Sequence, residues 1–247
     1  MKSRWTLESG ETLDALFRGR MVIFQRKRGY RLSLDAVLLA RFIELKGGER
    51  VVDLGAGNGV IALLLALLHP SARVVGLEVQ ETMVERALRS VRLNRLEGRV
   101  EISRGDVRFL KKSFAPESFD AAVSNPPYLR PKSGRTNPDP ERHIARHEVE
   151  GSLSDFLHGG SYLLRRGGKM SLVYPAVRVA DLLVGMREVG VEVKRLRWVH
   201  SSTDGPATLV LVEGVKGGGS GLKVLPPLVV YSKKKEYTEE MKAILEG

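Results

Sequence analysis

Asn125, Pro126, Pro127 and Tyr128 stand in a row behind Ser124. An asparagine amide both donates and accepts hydrogen bonds. Each proline fixes its own φ and pushes the residue before it toward extended geometry. The outcome is a stiff turn that aims the Asn125 side chain and the Pro126 carbonyl at one point. Tyr128 adds an aromatic face on which a flat group can stack. Two aimed acceptors beside a ring suit a planar molecule carrying an NH2 group. The plain alternative is a proline-rich loop with Tyr128 packed in a core.

A second group lies upstream. Val51-Val52-Asp53-Leu54-Gly55-Ala56-Gly57-Asn58-Gly59-Val60 reads as a strand entering a glycine turn that opens a helix. Glycines let backbone approach a ligand closely, and a helix N-terminus offers free N–H groups. Glu78 ends the next strand, at the spacing of an acid that accepts hydrogen bonds from ribose hydroxyls. NAD-binding folds share this loop and acid, so the pair alone is ambiguous. Asp53 shifts the balance: a carboxylate just before the first glycine repels a pyrophosphate and attracts an ammonium. The Asn-Pro-Pro-Tyr turn, which dinucleotide folds do not need, shifts it further. The ligand uniting adenosine with a charged amino acid is S-adenosylmethionine. Gly105-Asp106-Val107 closes the third strand, where an acid can accept the adenine amine; read alone, Asp106 serves equally as a helix N-cap. The cofactor set is Asp53, Gly55, Ala56, Gly57, Glu78, Val79, Asp106, Val107 and Asn125. Asn94 and His69 read as helix ends without further role.

The elements that must position these residues alternate as in βαβ units of a parallel sheet. Expected strands are Arg50–Leu54, Arg73–Glu78, Val100–Ser103, Phe119–Ser124, Lys169–Val173, Glu192–Val199 and Ala207–Val212. Expected helices are Val60–Leu68, Glu81–Asn94, Leu153–Leu164 and Ala176–Val189, with Ser33–Ile43 as an apolar helical stretch before them. The short link Ser201 to Pro206 predicts a hairpin, making the last of the seven strands antiparallel. Leu222–Val230 reads as one further strand, and Thr238 to Leu245 as a short helix capped by Thr238. Arg130–Glu148 is a polar loop too long for a plain connector, which points to a functional segment.

The 247 residues, 43% hydrophobic, suffice for one large α/β domain with short additions. Apolar runs stop at helix length, with Val60 to Leu68 the longest, and Met1–Trp5 leads into no signal-peptide core, so a cytoplasmic protein without a membrane span is expected. Cysteine is absent, which excludes disulfides, iron–sulfur clusters and thiolate nucleophiles; no metal is expected. The net charge of +11 favours a polyanionic partner, nucleic acid above all. Cations cluster before residue 32, around Arg26, Lys27 and Arg28, and after the Pro-Pro turn, around Lys132, Arg135 and Arg142. A solvated face is the plain alternative for such clusters. A third run is Lys233-Lys234-Lys235.

With these pieces placed, the sequence resembles class I S-adenosylmethionine-dependent methyltransferases of the amino-methylating branch that carries Asn-Pro-Pro-Tyr. Three flanking motifs, Gly29–Leu39, Leu211–Gly218 and Pro226–Tyr231, make it similar to the bacterial tRNA1(Val) (adenine-N6)-methyltransferase family. The resemblance implies an α/β, Rossmann-like fold with a seven-stranded, mostly parallel sheet, an antiparallel last strand and helices on both faces. It implies a single domain over 1–247: a basic extension at 1–49 covering the cofactor and RNA site, a catalytic core at 50–213, and a C-terminal extension at 214–247. It implies tRNA as partner, the adenine 3′ of the anticodon as target, Ser33 and Asp35 (with Ala36) folded over the methionine end of the cofactor, and Asn125, Pro126 and Tyr128 as the catalytic turn. Guanine-N2 methyltransferases of rRNA and glutamine-N5 methyltransferases of release factors share the turn, so it does not name the substrate. A non-catalytic RNA-binding module keeping the fold is a third reading. Oligomeric state is not specified.

Overall fold

The computed structural model describes residues 6–28, 33–128 and 151–246. It opens on a hairpin, β1 (Glu11–Leu16) and β2 (Met21–Arg26), followed by α1 (Leu34–Phe42). Alternation then sets in: β3 (Arg50–Leu54), α2 (Val60–Leu68), β4 (Arg73–Glu78), α3 (Glu81–Leu93), β5 (Val100–Arg104) and β6 (Phe119–Ser124). After the segment outside the described residues come α4 (Leu153–Leu163), β7 (Leu164–Pro175), α5 (Val179–Glu188), β8 (Val191–Ser202) and β9 (Ala207–Lys216). β10 (Lys223–Val224), β11 (Leu228–Tyr231) and α6 (Glu239–Glu246) complete the described chain.

The central sheet runs β10-β8-β9-β7-β6-β3-β4-β5, with β11 also paired to β8. β3 to β7 are parallel, and β9 is antiparallel to both neighbours, as the short link before Pro206 predicts. Period-two alternation explains the two cores. Val51, Val74, Val100 and Val123 face one layer; Val52, Val75, Leu77 and Ala122 face the other. Both faces are covered, so β3 buries Val51 through Leu54 without a break. Helix α2 is apolar all round because it lies under the hairpin and α1 as well as on the sheet.

Three features depart from expectation. The sheet has nine strands rather than seven. The single strand expected over Leu222–Val230 is split into β10 and β11, both parallel to β8; Pro226 and Pro227 between them offer no N–H to a ladder. The N-terminal extension carries the β1–β2 hairpin in addition to its helix. Thr238 does cap α6, its hydroxyl accepting from the Met241 amide at 3.3 Å.

Side chains of α3 hold the hairpin. Ser90 Oγ accepts from the Phe24 amide (3.0 Å); Asn94 Oδ1 accepts from the Val22 amide (2.9 Å), and Asn94 Nδ2 donates to the Val22 carbonyl (2.6 Å). An edge strand that would otherwise present bare backbone is thereby closed. Glu11, buried in β1, pairs with Arg86 and Arg89 of α3. Burial raises the Glu11 carboxyl, and the Glu8 amide, Arg89 and Arg86 together more than reverse this, holding it below the usual range.

Candidate cofactor and acceptor site

Parallel pairing brings the C-terminal ends of β3, β4, β5 and β6 to one edge of the sheet. Leu54 is register partner to both Leu77 and Ser124, and Glu78 to Arg104. The glycine loop, Glu78, Asp106 and Asn125 therefore emerge side by side, the crevice where ligands bind in open α/β sheets. The Ser124 hydroxyl donates to the Leu54 carbonyl at 2.7 Å, locking the start of the Asn-Pro-Pro-Tyr turn to the start of the glycine loop.

The loop needs its glycines. Gly55, Gly57 and Gly59 have φ of 72°, 55° and 75°, where an L-residue is strained. A Cβ on Gly55 would also lie 2.9 Å from Phe156 Cε1 of α4. The Gly55 and Ala56 amides donate to the Leu77 carbonyl at 2.9 and 2.8 Å, so the loop is fastened to β4. Glu78 Oε2 accepts from the Gly57 amide (2.8 Å) and Oε1 from the Gln80 amide (2.9 Å). The acid thus shapes the loop as well as facing the edge. Ala56 and Val107 are buried, and Val79 is half-buried beside Glu78.

Asp53 lies beneath the loop, wholly buried, with both carboxylate oxygens lacking a hydrogen-bond partner. Burial raises its pKa from the ordinary value to about 7; the Ala62 amide at the start of α2 opposes the rise and Glu78 adds to it. Ser33 Oγ, at the N-cap of α1, and Asn58 Nδ2 are likewise buried without partner. Buried polar groups normally find partners, and each orphan here asks for an explanation. Carboxylate and hydroxyl acceptors around a glycine loop suit a small ligand with an ammonium end and a ribose. The residues present fit S-adenosylmethionine.

At the turn, the Tyr128 hydroxyl lies between Asn125 Oδ1 and Asp35 Oδ2, the latter at 2.7 Å. Its single proton is donated to one of them at a time. The Tyr128 ring meets Tyr174 edge-on at 5.8 Å, and the Tyr128 carbonyl accepts from Arg178 Nη1 at 2.9 Å. Tyr128 is thus braced by α1, β7 and the start of α5, and the Asn125 carbonyl is already engaged. Arg178 and Tyr174 were not singled out in the sequence, and no local motif marks them.

Asp106 is the N-cap of a 3-10 turn, Val107–Lys112, and accepts from the Arg108 amide at 2.9 Å. Arg108 also grips the carboxylate with Nε (2.9 Å) and Nη2 (2.5 Å), the main cause holding Asp106 below the usual range. The capping role is what the structure shows, and the acid faces Arg108 rather than open space; the Asp-x-Arg spacing was the available signal. Asp35 sits in the first turn of α1, which brings the Ser33–Asp35 segment to the turn. Arg26, Lys27 and Arg28 are exposed where β2 ends, just before the segment that leads to Ser33. Lys132, Arg135 and Arg142 lie outside the described residues. Among the described residues no group of three His, Cys, Asp or Glu is arranged to hold a metal, and no helix is long and apolar enough to cross a membrane.

A sheet of this strand order, with a glycine loop, an acid after the second core strand and an Asn-Pro-Pro-Tyr turn on one edge, defines the class I methyltransferase architecture. The Methyltransf_31 model, a methyltransferase domain, matches residues 45–176, just over half of the chain. The chain belongs to this methyltransferase-domain family. It is 32% identical over 163 residues to a Bacteroides thetaiotaomicron protein named tRNA1(Val) (adenine(37)-N6)-methyltransferase, the match covering 66% of each chain. A Vibrio campbellii protein of the same name is 28% identical over 189 residues, 76% of this chain and 77% of its own. The fold superposes on the crystal structure of a predicted O-methyltransferase, Atu636 of Agrobacterium tumefaciens, with TM-score 0.69 at 23% identity, covering 85% and 95% of the two chains. TrmN from Thermus thermophilus gives TM-score 0.53 at 25% identity, over 73% of this chain and 48% of that one.

Proposed function

We propose that this chain uses S-adenosylmethionine to methylate N6 of an adenine in tRNA, the base 3′ of the anticodon of valine tRNA, in the cytoplasm. The observation carrying the reading is the pairing of Leu54 with Ser124, which sets the Asn125 turn directly beside the loop above Asp53. The names of the relatives support adenine in tRNA over guanine in rRNA or glutamine in a protein, and the charge of +11 agrees.

The cofactor, when bound, supplies a methyl group already activated on a sulfonium. What this chain adds is placement of a poor nucleophile. Asn125 Oδ1 and the Pro126 carbonyl accept the two N–H bonds of the amine, which favours a tetrahedral nitrogen and points its lone pair along the edge. Alignment of this kind is worth up to about 7–11 kcal/mol. For Asn125 Oδ1 to serve, Tyr128 must turn its hydroxyl to Asp35 alone. The Tyr128 ring then stacks on the flipped base, contributing about 1–3 kcal/mol. A methylated adenine amine would be a cation that sheds its proton readily to water, so no general base is required of this chain. Asp53 offers its carboxylate to the ammonium end, and Glu78 to the ribose. Arg26, Lys27 and Arg28, with Lys132, Arg135 and Arg142, supply the basic flanks for the RNA backbone. Residues 1–49 cover the site, 50–213 form the catalytic core and 214–247 extend it.

The test is incubation with tritiated S-adenosylmethionine and separate pools of tRNA, rRNA and protein, followed by nucleoside analysis. N6-methyladenosine in the tRNA pool is the expected product; label confined to rRNA or protein would refute the reading.

A further inference from the structure

Beside Asp106, the turn Val107–Lys112 breaks helical geometry at Phe109 (φ −124°, ψ 26°). Val107 and Leu110 are buried there, and Phe109 is 57% exposed. A lone exposed ring is ordinary on a protein surface. This one has two cations beside it: Arg108 Cζ lies 5.7 Å and Lys112 Nζ 5.6 Å from its centroid. Lys111 Nζ lies 5.8 Å from the centroid of Tyr162, whose hydroxyl donates to the Phe114 carbonyl at 3.0 Å and is thereby fixed. Between the turn and α4 runs a cleft of about 280 Å³, lined by Phe109, Lys111, Lys112, His158 and Tyr162 among others.

Arg108 is neutralised by Asp106, and the positive charge left over is that of Lys111 and Lys112. The two nearby carboxylates are committed elsewhere, Asp106 to Arg108 and Asp155 to the capping box with Ser152 at the start of α4. Lys111 and Lys112 are exposed, and neither forms an ion pair among the described residues. Carboxylates cancel charge on a merely solvated face at little cost; here neither neighbouring carboxylate is ion-paired with Lys111 or Lys112. Cations beside an aromatic face are what a single strand of nucleic acid engages, base on ring and phosphate on lysine. The patch also lies at the end of β5, on the same edge as Asn125.

We infer that Phe109, with Lys111 and Lys112, is a docking platform for a single-stranded stretch of the RNA substrate, one base stacking on Phe109 and the adjoining phosphates meeting the two lysines. The inference rests on the proposed tRNA reading and adds where nucleotides beyond the target lie.

The experiment is fluorescence anisotropy with a labelled anticodon stem-loop, titrated with the full chain across a series of salt concentrations. Phe109→Ala should weaken binding by about tenfold and Phe109→Trp should restore it, as expected for one base stack. Lys111→Gln combined with Lys112→Gln should flatten the log–log salt slope by about 1.4, two single-strand phosphate contacts. Calorimetry with S-adenosylmethionine should give wild-type affinity in all three variants. Binding by Phe109→Ala within about twofold of wild type, an unchanged salt slope, or lost cofactor binding would each overturn the platform. Wild-type protein that neither binds nor methylates tRNA would remove the functional reading itself; wild-type protein active on tRNA with an indifferent Phe109→Ala removes only the platform.

Discussion

The Tyr128 hydroxyl lies 2.7 Å from Asp35 Oδ2, so the ring behind the Pro-Pro turn is tied to the first turn of α1. The same hydroxyl reaches Asn125 Oδ1, the acceptor proposed for the target amine. A hydroxyl proton turned to Asp35 on α1 leaves Asn125 Oδ1 free to accept. Tyr128→Phe removes the competitor for Asn125 and keeps the ring; Tyr128→Ala removes both. Steady-state kinetics should show Tyr128→Phe within about threefold of wild type, and Tyr128→Ala losing the 1–3 kcal/mol of a base stack, roughly five- to 150-fold in kcat/KM.

Asp53 makes binding and stability depend on pH in opposite senses. Its folded pKa of about 7 stands above the ordinary value, so its stabilising contribution is complete below that ordinary value and is lost as pH rises through 7. Asp53→Asn should then be more stable than wild type, with the gap widening between about pH 4 and 7 and flat above, reaching a few kcal/mol in the ligand-free protein. Thermal unfolding at pH 5 and 8 checks this. A bound ammonium favours the carboxylate, so wild-type affinity for S-adenosylmethionine should climb with pH up to about 7, while Asp53→Asn binds weakly and without that climb in calorimetry.

Glu11 and Arg86 form a pair with side chains only 3% and 8% exposed, and Arg86 Nη1 also donates to Asn58 Oδ1 in the glycine loop at 3.0 Å. Removing one partner of a buried pair costs about 3–5 kcal/mol. Glu11→Ala should lose that much in urea unfolding, and Glu11→Ala with Arg86→Met should recover part of it. A loss below about 1 kcal/mol in the single variant would show that the pair is not the anchor of the hairpin.

Asn94 bonds both backbone groups of Val22. Asn94→Ala leaves them unpaired at a cost of about 1–3 kcal/mol. Hydrogen exchange should speed at the Val22 and Phe24 amides while the β3 amides stay protected; uniform acceleration would mean that the hairpin and the sheet open together.

The five parallel strands were legible because strands buried on both faces are continuous apolar runs, as in Val74–Leu77 and Ala121–Val123. The hairpin was not, because Glu11–Leu16 mixes Glu, Thr and Asp with its apolar residues, and its pairing energy comes from distant side chains, Ser90 and Asn94. Asn94 in particular reads locally as a helix end; only the tertiary packing shows its second use. At the site, Asp53, Gly55, Gly57, Glu78 and Asn125 were placed together by strand order, a property of the βαβ pattern. The Arg108 grip on Asp106 and the Tyr128 hydroxyl between two acceptors depend on side-chain rotamers, which spacing does not encode.

The central claim is that Asn125 positions the amine of a tRNA adenine. The most direct measurement is N6-methyladenosine formed in tRNA by wild type and by Asn125→Ala, at matched cofactor occupancy fixed by calorimetry. Wild type should place the methyl group on the base 3′ of the valine anticodon, and Asn125→Ala should lose at least about a hundredfold in kcat with cofactor binding intact. Full activity in Asn125→Ala, or a methyl group on another class of acceptor, would contradict it.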